Sequence, residues 1–225
     1  MNALSPPRTR LVIEVIHDLV CPWCHLGIRR LVRALRRRPD LGYDLLWRPF
    51  LLNPDMPRGG MAQEEYVIRK FGGIDRARRL HASITEIGRG EDIVFRFDRI
   101  RRAPSSVDAH RLVAWAAGYG RAGDVVEAIF TAHFSEGRDI GDAATLAHIA
   151  GRAGLDARAA LAYLAGSEGT DRVHADNLLA HRLGVNGVPC FLIGGEHAIA
   201  GAQEPEVIDR LLDVALASAV ETVGF

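Results

Sequence analysis

The sequence predicts an α/β fold whose sheet is interrupted by a long helical insertion, and three observations carry that reading. The N-terminal part runs strand, helix, strand; the C-terminal part runs strand, strand, helix; and from residue 62 to 183 the apolar spacing is helical. A first strand that is apolar on both faces needs neighbours on both sides, so the two ends of the chain must meet in one sheet.

Taken in order, Leu11, Ile13 and Val15 alternate with Val12, Glu14 and Ile16, a β-branched run that reads as a largely buried strand. Leu26, Leu31, Val32 and Leu35 then recur at helical spacing among Arg29, Arg30, Arg33 and Arg36. Pro39-Asp40-Leu41-Gly42 breaks the pattern, and residues 43–52 read as a second strand that Pro49 should end or bulge. Asn53-Pro54-Asp55-Met56-Pro57 with Gly59-Gly60 is a loop on composition. Helices are predicted over 62–71, 76–87, 105–118, 122–134, 143–153 and 157–165, with Ser105 or Ser106 and Asp142 as N-caps. A helix over 170–183 leads to Gly187-Val188-Pro189. Cys190 to Ile193 is then a short buried strand, Gly194-Gly195 a hairpin turn and His197 to Ala200 its partner. Residues 204–216 close the chain as a helix with Val207, Ile208, Leu211 and Leu212 on one face.

Composition narrows the function classes. The 225 residues are 48% hydrophobic, enough for a sizeable core, and Lys+Arg and Asp+Glu are both 28, so no net field recruits nucleic acid or a membrane surface. Lys70 is the only lysine; the arginine clusters at 36–38 and 99–102 read as solvated faces. Residues 1–10 lack a signal-peptide core and no segment approaches the ~20 apolar residues that span a bilayer, so a cytoplasmic protein is expected. Three cysteines exclude a disulfide framework, and in a reducing compartment a CxxC is expected to be catalytic or metal-binding rather than a staple.

That CxxC, Cys21-Pro22-Trp23-Cys24, lies where the first strand hands over to the first helix. A helix N-terminus, with free N–H groups and a positive dipole end, favours a thiolate at Cys21. Pro22 suits the first turn, where its missing donor is not needed, and one turn can bring both sulfurs within bonding reach. Zinc is the rival chemistry, but a structural site wants four ligands. Here there is one CxxC, a distant Cys190, and His17 and His25 nearby, with His25 expected to be partly exposed and merely polar. No metal is expected. The other histidines, 81, 110, 133, 148, 174, 181 and 197, show no ligand spacing.

Residues 18–24 (Asp-Leu-Val-Cys-Pro-Trp-Cys), 47–57 (Trp-Arg-Pro-Phe-Leu-Leu-Asn-Pro-Asp-Met-Pro), Gly187-Val188-Pro189 and Gly201-Ala202-Gln203 together resemble the FrnE-like branch of the DsbA family of thiol–disulfide oxidoreductases. Weaker similarity through residues 108–112 and 136–140 extends this over nearly the whole chain. The resemblance implies a thioredoxin-like fold with an inserted all-helical domain: residues 1–57 and 176–225 form the discontinuous thioredoxin-like part and 58–175 the insertion. It implies a cis bond between Val188 and Pro189, with Cys21 the attacking thiolate, exposed at the helix start, and Cys24 the resolving thiol. Pro22, Trp23, Val188 and Pro189 would contact substrate. Trp23 offers only one indole N–H to the thiolate, so a less oxidising couple than the strongest oxidants of the family is expected. The segment from Ser105 to His110 begins Asn-Thr in many relatives and faces the cleft there; two serines stand here instead.

Cys190, directly after the proline, departs from the family pattern. Strand alternation turns it away from Pro189 into the core, as a small buried hydrophobe; the sharper alternative is a third redox thiol or a metal ligand with Cys21 and Cys24. The implied partners are protein or peptide thiols and disulfides, with glutathione a candidate co-substrate and otherwise no cofactor, in a monomer or homodimer. The kappa-class glutathione transferases and 2-hydroxychromene-2-carboxylate isomerases look similar too, but carry serine at the position of Cys21, so glutathione-dependent isomerisation or transfer is the alternative function. A non-catalytic binding module would survive loss of Cys21.

Overall fold

The computed structural model describes residues 10–223; residues 1–9 of the stretch read for a leader lie outside them. A four-stranded sheet has the order β2-β1-β5-β6, built from β1 (Leu11–His17), β2 (Tyr43–Pro49), β5 (Cys190–Ile193) and β6 (His197–Ala200). β1 pairs parallel to β2, Leu11 opposite Tyr43 through His17 opposite Pro49, and antiparallel to β5, Ile13 opposite Ile193 and Ile16 opposite Cys190. The first strand thus has a neighbour from each end of the chain, as its two-sided apolar pattern requires.

Strand alternation sends side chains to two layers. Leu11, Ile13 and Val15 join Phe191 and Ile193 in the main core, with Leu26, Leu31 and Leu35 of α1 (Pro22–Arg36) and Ile208 and Leu212 of α9 (Pro205–Val223). On the other face Ile16, Phe50 and Cys190 meet Ala180 of α8 (Thr170–Arg182). Cys190 is therefore a buried packing residue away from Pro189's face. The strand over 43–52 ends at Pro49, whose missing N–H stops the ladder.

Between β2 and α8 lie α2 (Gln63–Phe71), α3 (Ile74–Arg89), α4 (Val107–Ala117), α5 (Ala122–Phe130), α6 (Ala143–Arg152) and α7 (Ala157–Ala165). Their buried residues, such as Val125, Phe130, Leu146 and Leu164, belong to the same core cluster as the sheet. No helix among the described residues is long and apolar enough to cross a membrane.

Local details correct or add to the sequence reading. The helix predicted over 122–134 stops at Phe130 and widens into a π turn, Thr131–Ser135, where the Glu136 N–H reaches back five residues to the Thr131 carbonyl (3.1 Å). A two-residue ladder, β3 (Met61–Ala62) with β4 (Arg102–Ala103), closes the α2–α3 hairpin and is too short to show a period. It depends on Gly60, whose φ is +66° and where a Cβ would lie 2.5 Å from the Ala103 carbonyl oxygen. Asp142 caps α6 through the Thr145 N–H (2.8 Å); at α4 Ser106 holds the N-cap position without a side-chain cap bond, and it is the Ser105 hydroxyl that accepts from the Val107 N–H (3.5 Å).

Arg30 and Glu91, both about 5% exposed, pair at 2.8 Å. The Arg30 guanidinium also donates to the carbonyls of Ala202 (2.9 Å) and Gln203 (3.1 Å). One arginine thereby ties α1 to the insertion and to the loop after β6. Arg111 is 1% exposed and donates to the carbonyls of Tyr163 (3.0 Å), Gly166 (2.9 Å) and Glu168 (2.6 Å) while pairing with Asp108 (2.5 Å). It satisfies the orphan carbonyls at the end of α7. An Arg111→Met variant, which keeps the bulk but strands these acceptors and Asp108, is expected to lose ~3 kcal/mol in urea unfolding; a midpoint equal to wild type would show that the carbonyls find other donors.

Candidate active site at the start of the first helix

β1 delivers the chain to a tight turn, with the Cys21 N–H donating to the Asp18 carbonyl (3.1 Å). Cys21 is the N-cap of α1 (φ −98°, ψ 113°), Pro22 occupies the first turn, and the N–H groups of Cys24 (3.0 Å) and His25 (3.3 Å) point to the Cys21 carbonyl. All three cysteines are free thiols. Cys21 Sγ donates to the Val188 carbonyl at 3.7 Å, and the Val188–Pro189 bond is cis. Gly27 allows this approach of helix and loop, since a Cβ there would lie 2.7 Å from Pro189 Cγ. The structure thus gathers Cys21, Pro22, Trp23, Cys24, Val188 and Pro189 at one place.

The two thiols differ in setting. Cys21, read as exposed, is 4% exposed at the floor of a cleft, whereas Cys24 is fully buried. Cys24 Sγ accepts from the Asp18 N–H at 3.5 Å. Burial, with Cys21 beside it, pushes the Cys24 thiol well above its ordinary range. Trp23 stands 43% exposed at the rim.

Asp18, with no exposure, lies under the thiols. Its Oδ2 accepts from the Leu52 N–H (2.7 Å) and its Oδ1 from the Val20 N–H (3.4 Å), and His110 Nε2 lies 3.5 Å from Oδ1. Burial alone would raise this carboxyl. Hydrogen bonding and charge from His110, with the Leu52 N–H and the Ser106 hydroxyl, outweigh it and hold the group below the ordinary range. The Ser106 hydroxyl is thus spent on Asp18, not on capping α4. The Ser105–His110 segment, rather than facing the cleft as a whole, turns Ser106 and His110 beneath it.

A cleft of about 200 Å³ opens beside Cys21, Pro22 and Trp23. Its walls come from the insertion: Tyr66 and Phe71, His81 stacked on Phe97 (3.9 Å, 6°), and His133 and Phe134 from the π turn. Burial pushes Tyr66 up and His81 down, so each stays neutral. Lys70 Nζ, also lining the cleft, donates to the Leu52 carbonyl (3.1 Å) and to Asn53 Oδ1 (3.2 Å). A larger cleft of about 710 Å³ is lined by Trp47, Arg48, Arg172 and Asp176 with His17 and His110 at its floor. No cysteine lines it, so the smaller cleft is where the sulfur chemistry can occur.

One expectation for a histidine changes. His25, expected to be partly exposed, is 1% exposed and stacks on Phe130 (4.9 Å, 6°) with Glu127 at 3.6 Å, because its side of α1 faces the insertion's aromatic core. Asp18 and His110 stand out in the sequence only as members of longer motifs. An acid directly after an apolar strand and three residues before a thiol was the available signal for the first. The cleft aromatics come from separate helices and carried none.

Residues 12–213 match the family model of the DSBA-like thioredoxin domain. The chain belongs to this family. A probable DsbA oxidoreductase from Streptomyces coelicolor is 30% identical over 92% of this chain and 91% of its own, with a TM-score of 0.84. Among solved structures with lower identity, this DSBA-like chain shares its fold with a 2-hydroxychromene-2-carboxylate isomerase (14% identity, 95% and 100% coverage, TM-score 0.69). It also shares it with the cytosolic disulfide reductase DsbM from Pseudomonas aeruginosa, solved with GSH (22%, 92% and 99%, 0.63). No curated protein matches the chain by sequence.

Two measurements follow. Native alkylation should label Cys21 and leave Cys24 and Cys190 unmodified until denaturant is added; fast labelling of Cys190 would contradict its packing role. Burial pushes His17 down to about 3 and His133 to about 4 from 6.5. Between those values the unfolded chain binds protons that the folded chain refuses, so stability falls as pH drops through that window. The urea midpoint should decline steadily from near neutral to mildly acid pH; a flat profile would show that both imidazoles protonate in the folded state.

Proposed function

We propose that this DSBA-like chain is a thiol–disulfide oxidoreductase that exchanges a Cys21–Cys24 disulfide or dithiol with protein or small-molecule thiols through a mixed disulfide on Cys21. The observation that carries the reading is the asymmetry of the thiols: one sulfur at a helix N-terminus on a cleft floor, the other sealed one turn below it. A nucleophile that lines an open cleft and a resolving thiol sealed beneath it suit exchange through a trapped intermediate.

In the reductive direction Cys21 attacks a substrate disulfide, one substrate sulfur leaves and the other stays bonded to Cys21. Cys24 then displaces it, closing the Cys21–Cys24 disulfide. The oxidative direction is the reverse. Pro22, Trp23, Val188 and Pro189 frame the substrate, and the Val188 backbone suits an extended peptide. Glutathione, seen with DsbM, suits the cleft as a thiol partner or reductant. The reading keeps residues 58–175 as the insertion that walls the cleft, in a cytoplasmic protein.

Insulin reduction and dithiol oxidation should both be abolished in Cys21→Ser. Cys24→Ser should accumulate a mixed disulfide visible by mass spectrometry. Exchange that survives Cys21→Ser would remove the enzyme reading; glutathione-dependent isomerisation unaffected by Cys24→Ser would favour the isomerase alternative.

A further inference from the structure

β2 stands at one edge of the sheet. Among the described residues its one strand neighbour is β1. Its other side runs along the larger cleft, which every residue from Tyr43 to Pro49 lines. The facing wall, from α4, the turn into α5 and α8, is cut back by small residues: Ala114, Ala117, Gly120, Gly123 and Gly169. A groove as long as the strand therefore follows its open side.

Backbone alternation fixes which groups point into that groove. The Leu11 N–H donates to the Gly42 carbonyl (2.9 Å) and the Phe50 N–H to the His17 carbonyl (2.8 Å). In a parallel ladder with Leu11 opposite Tyr43, these bonds commit the even-numbered residues of β2 to β1. Tyr43, Leu45 and Trp47 thus turn both N–H and C=O outward, and Pro49 turns its C=O outward. An edge of this kind is a template for another strand.

The side chains select which strand. A second β2 laid antiparallel must set outward residues opposite outward residues, so the two-fold axis falls on a residue and not between two. With Leu46 on the axis, Asp44 lies opposite the partner's Arg48, Leu45 opposite the partner's Trp47, and Leu46 opposite its own copy. An axis on Leu45 or on Trp47 would instead set a charge opposite Leu46. Asp44, Leu46 and Arg48 share one face of the sheet, where Asp44 already pairs with Arg10 and Arg48 with Glu14, each at 2.6 Å. Joining two copies continues these pairs into a row of alternating sign, Arg10, Asp44, the partner's Arg48, the partner's Glu14, on each side of the axis. Leu46, 40% exposed in the single chain, is covered between the two rows. Charges on an edge strand repel a foreign strand; here they match a second copy of their own.

We propose that β2 pairs antiparallel with the β2 of a second copy of this chain, centred on Leu46, and joins the two four-stranded sheets into one continuous sheet. β1 and β2 run parallel, and β1 ends at the turn that carries Cys21. The two-fold axis therefore sends the two Cys21 clefts to opposite ends of the joined sheet, and both stay open. The pairing is independent of the exchange reading, since no cysteine lines this groove.

Sedimentation equilibrium of the full-length wild type should give a dimer. Leu46→Lys sets two ammonium groups directly opposite each other and should weaken that dimer about 100-fold. The axis itself is tested by Leu46→Cys in a Cys21→Ser, Cys24→Ser background. Leu46 is at a non-hydrogen-bonded position, where opposed Cα atoms lie ~4.5 Å apart, within disulfide reach. Mild oxidation should therefore cross-link this variant as a dimer. Asp44→Cys in the same background places its two copies ~14 Å apart along the strands and should stay uncross-linked. A monomeric wild type, a dimer unmoved by Leu46→Lys, failure of Leu46→Cys to cross-link, or equal cross-linking of Asp44→Cys would each overturn the proposal. So would a dimer that forms only once residues 1–9 are removed, because the chain's own N-terminal segment would then be the occupant. Should Leu46→Lys not fold, the pair of cysteine variants decides.

Discussion

A carboxylate without access to water must be solvated by the protein around it, and Asp18 is solvated from four directions. The donors come from the Val20 backbone in its own turn, from Leu52 beyond β2, and from Ser106 and His110 on α4. Its own N–H is given to Cys24 Sγ. One buried charge therefore fixes the end of β1, the start of α1, the exit of β2 and the entry of α4 relative to one another, and the thiols sit on top of that junction. Losing one of these donors would let burial push the carboxyl up towards its neutral form and loosen the junction.

The insertion finishes what the sheet begins. The sheet and α1 place a sulfur at a helix N-terminus, but they supply little of the surface a substrate would touch. That surface is built from α2, α3 and the π turn, whose extra residue brings His133 and Phe134 to the cleft. The walls are mostly apolar or aromatic, so the cleft favours apolar groups beside the reacting sulfur, with Lys70 as the cation among its lining residues.

Two arginines hold these parts in place by saturating carbonyls. Arg30 joins α1, the Glu91 loop and the Ala202–Gln203 loop, while Arg111 closes the end of α7 against α4. Each is buried because a guanidinium can satisfy several acceptors at once in a fixed plane. On a helical wheel they look like the solvated arginines around them.

What the sequence by itself determined is whatever depends on near neighbours along the chain. The period of β1, the stop at Pro49, the turn at Gly194-Gly195 and the place of Cys21 at a helix start all follow from local sterics and alternation. So did the necessity that the two ends meet, since a strand apolar on both faces cannot stand at an edge. Tertiary structure alone decided the depth of Cys21, the burial of His25 against Phe130, the ladder of β3 with β4, and the junction of Asp18 with His110. Those outcomes join residues tens of positions apart, and a side chain's type does not reveal which distant partner will exclude water from it.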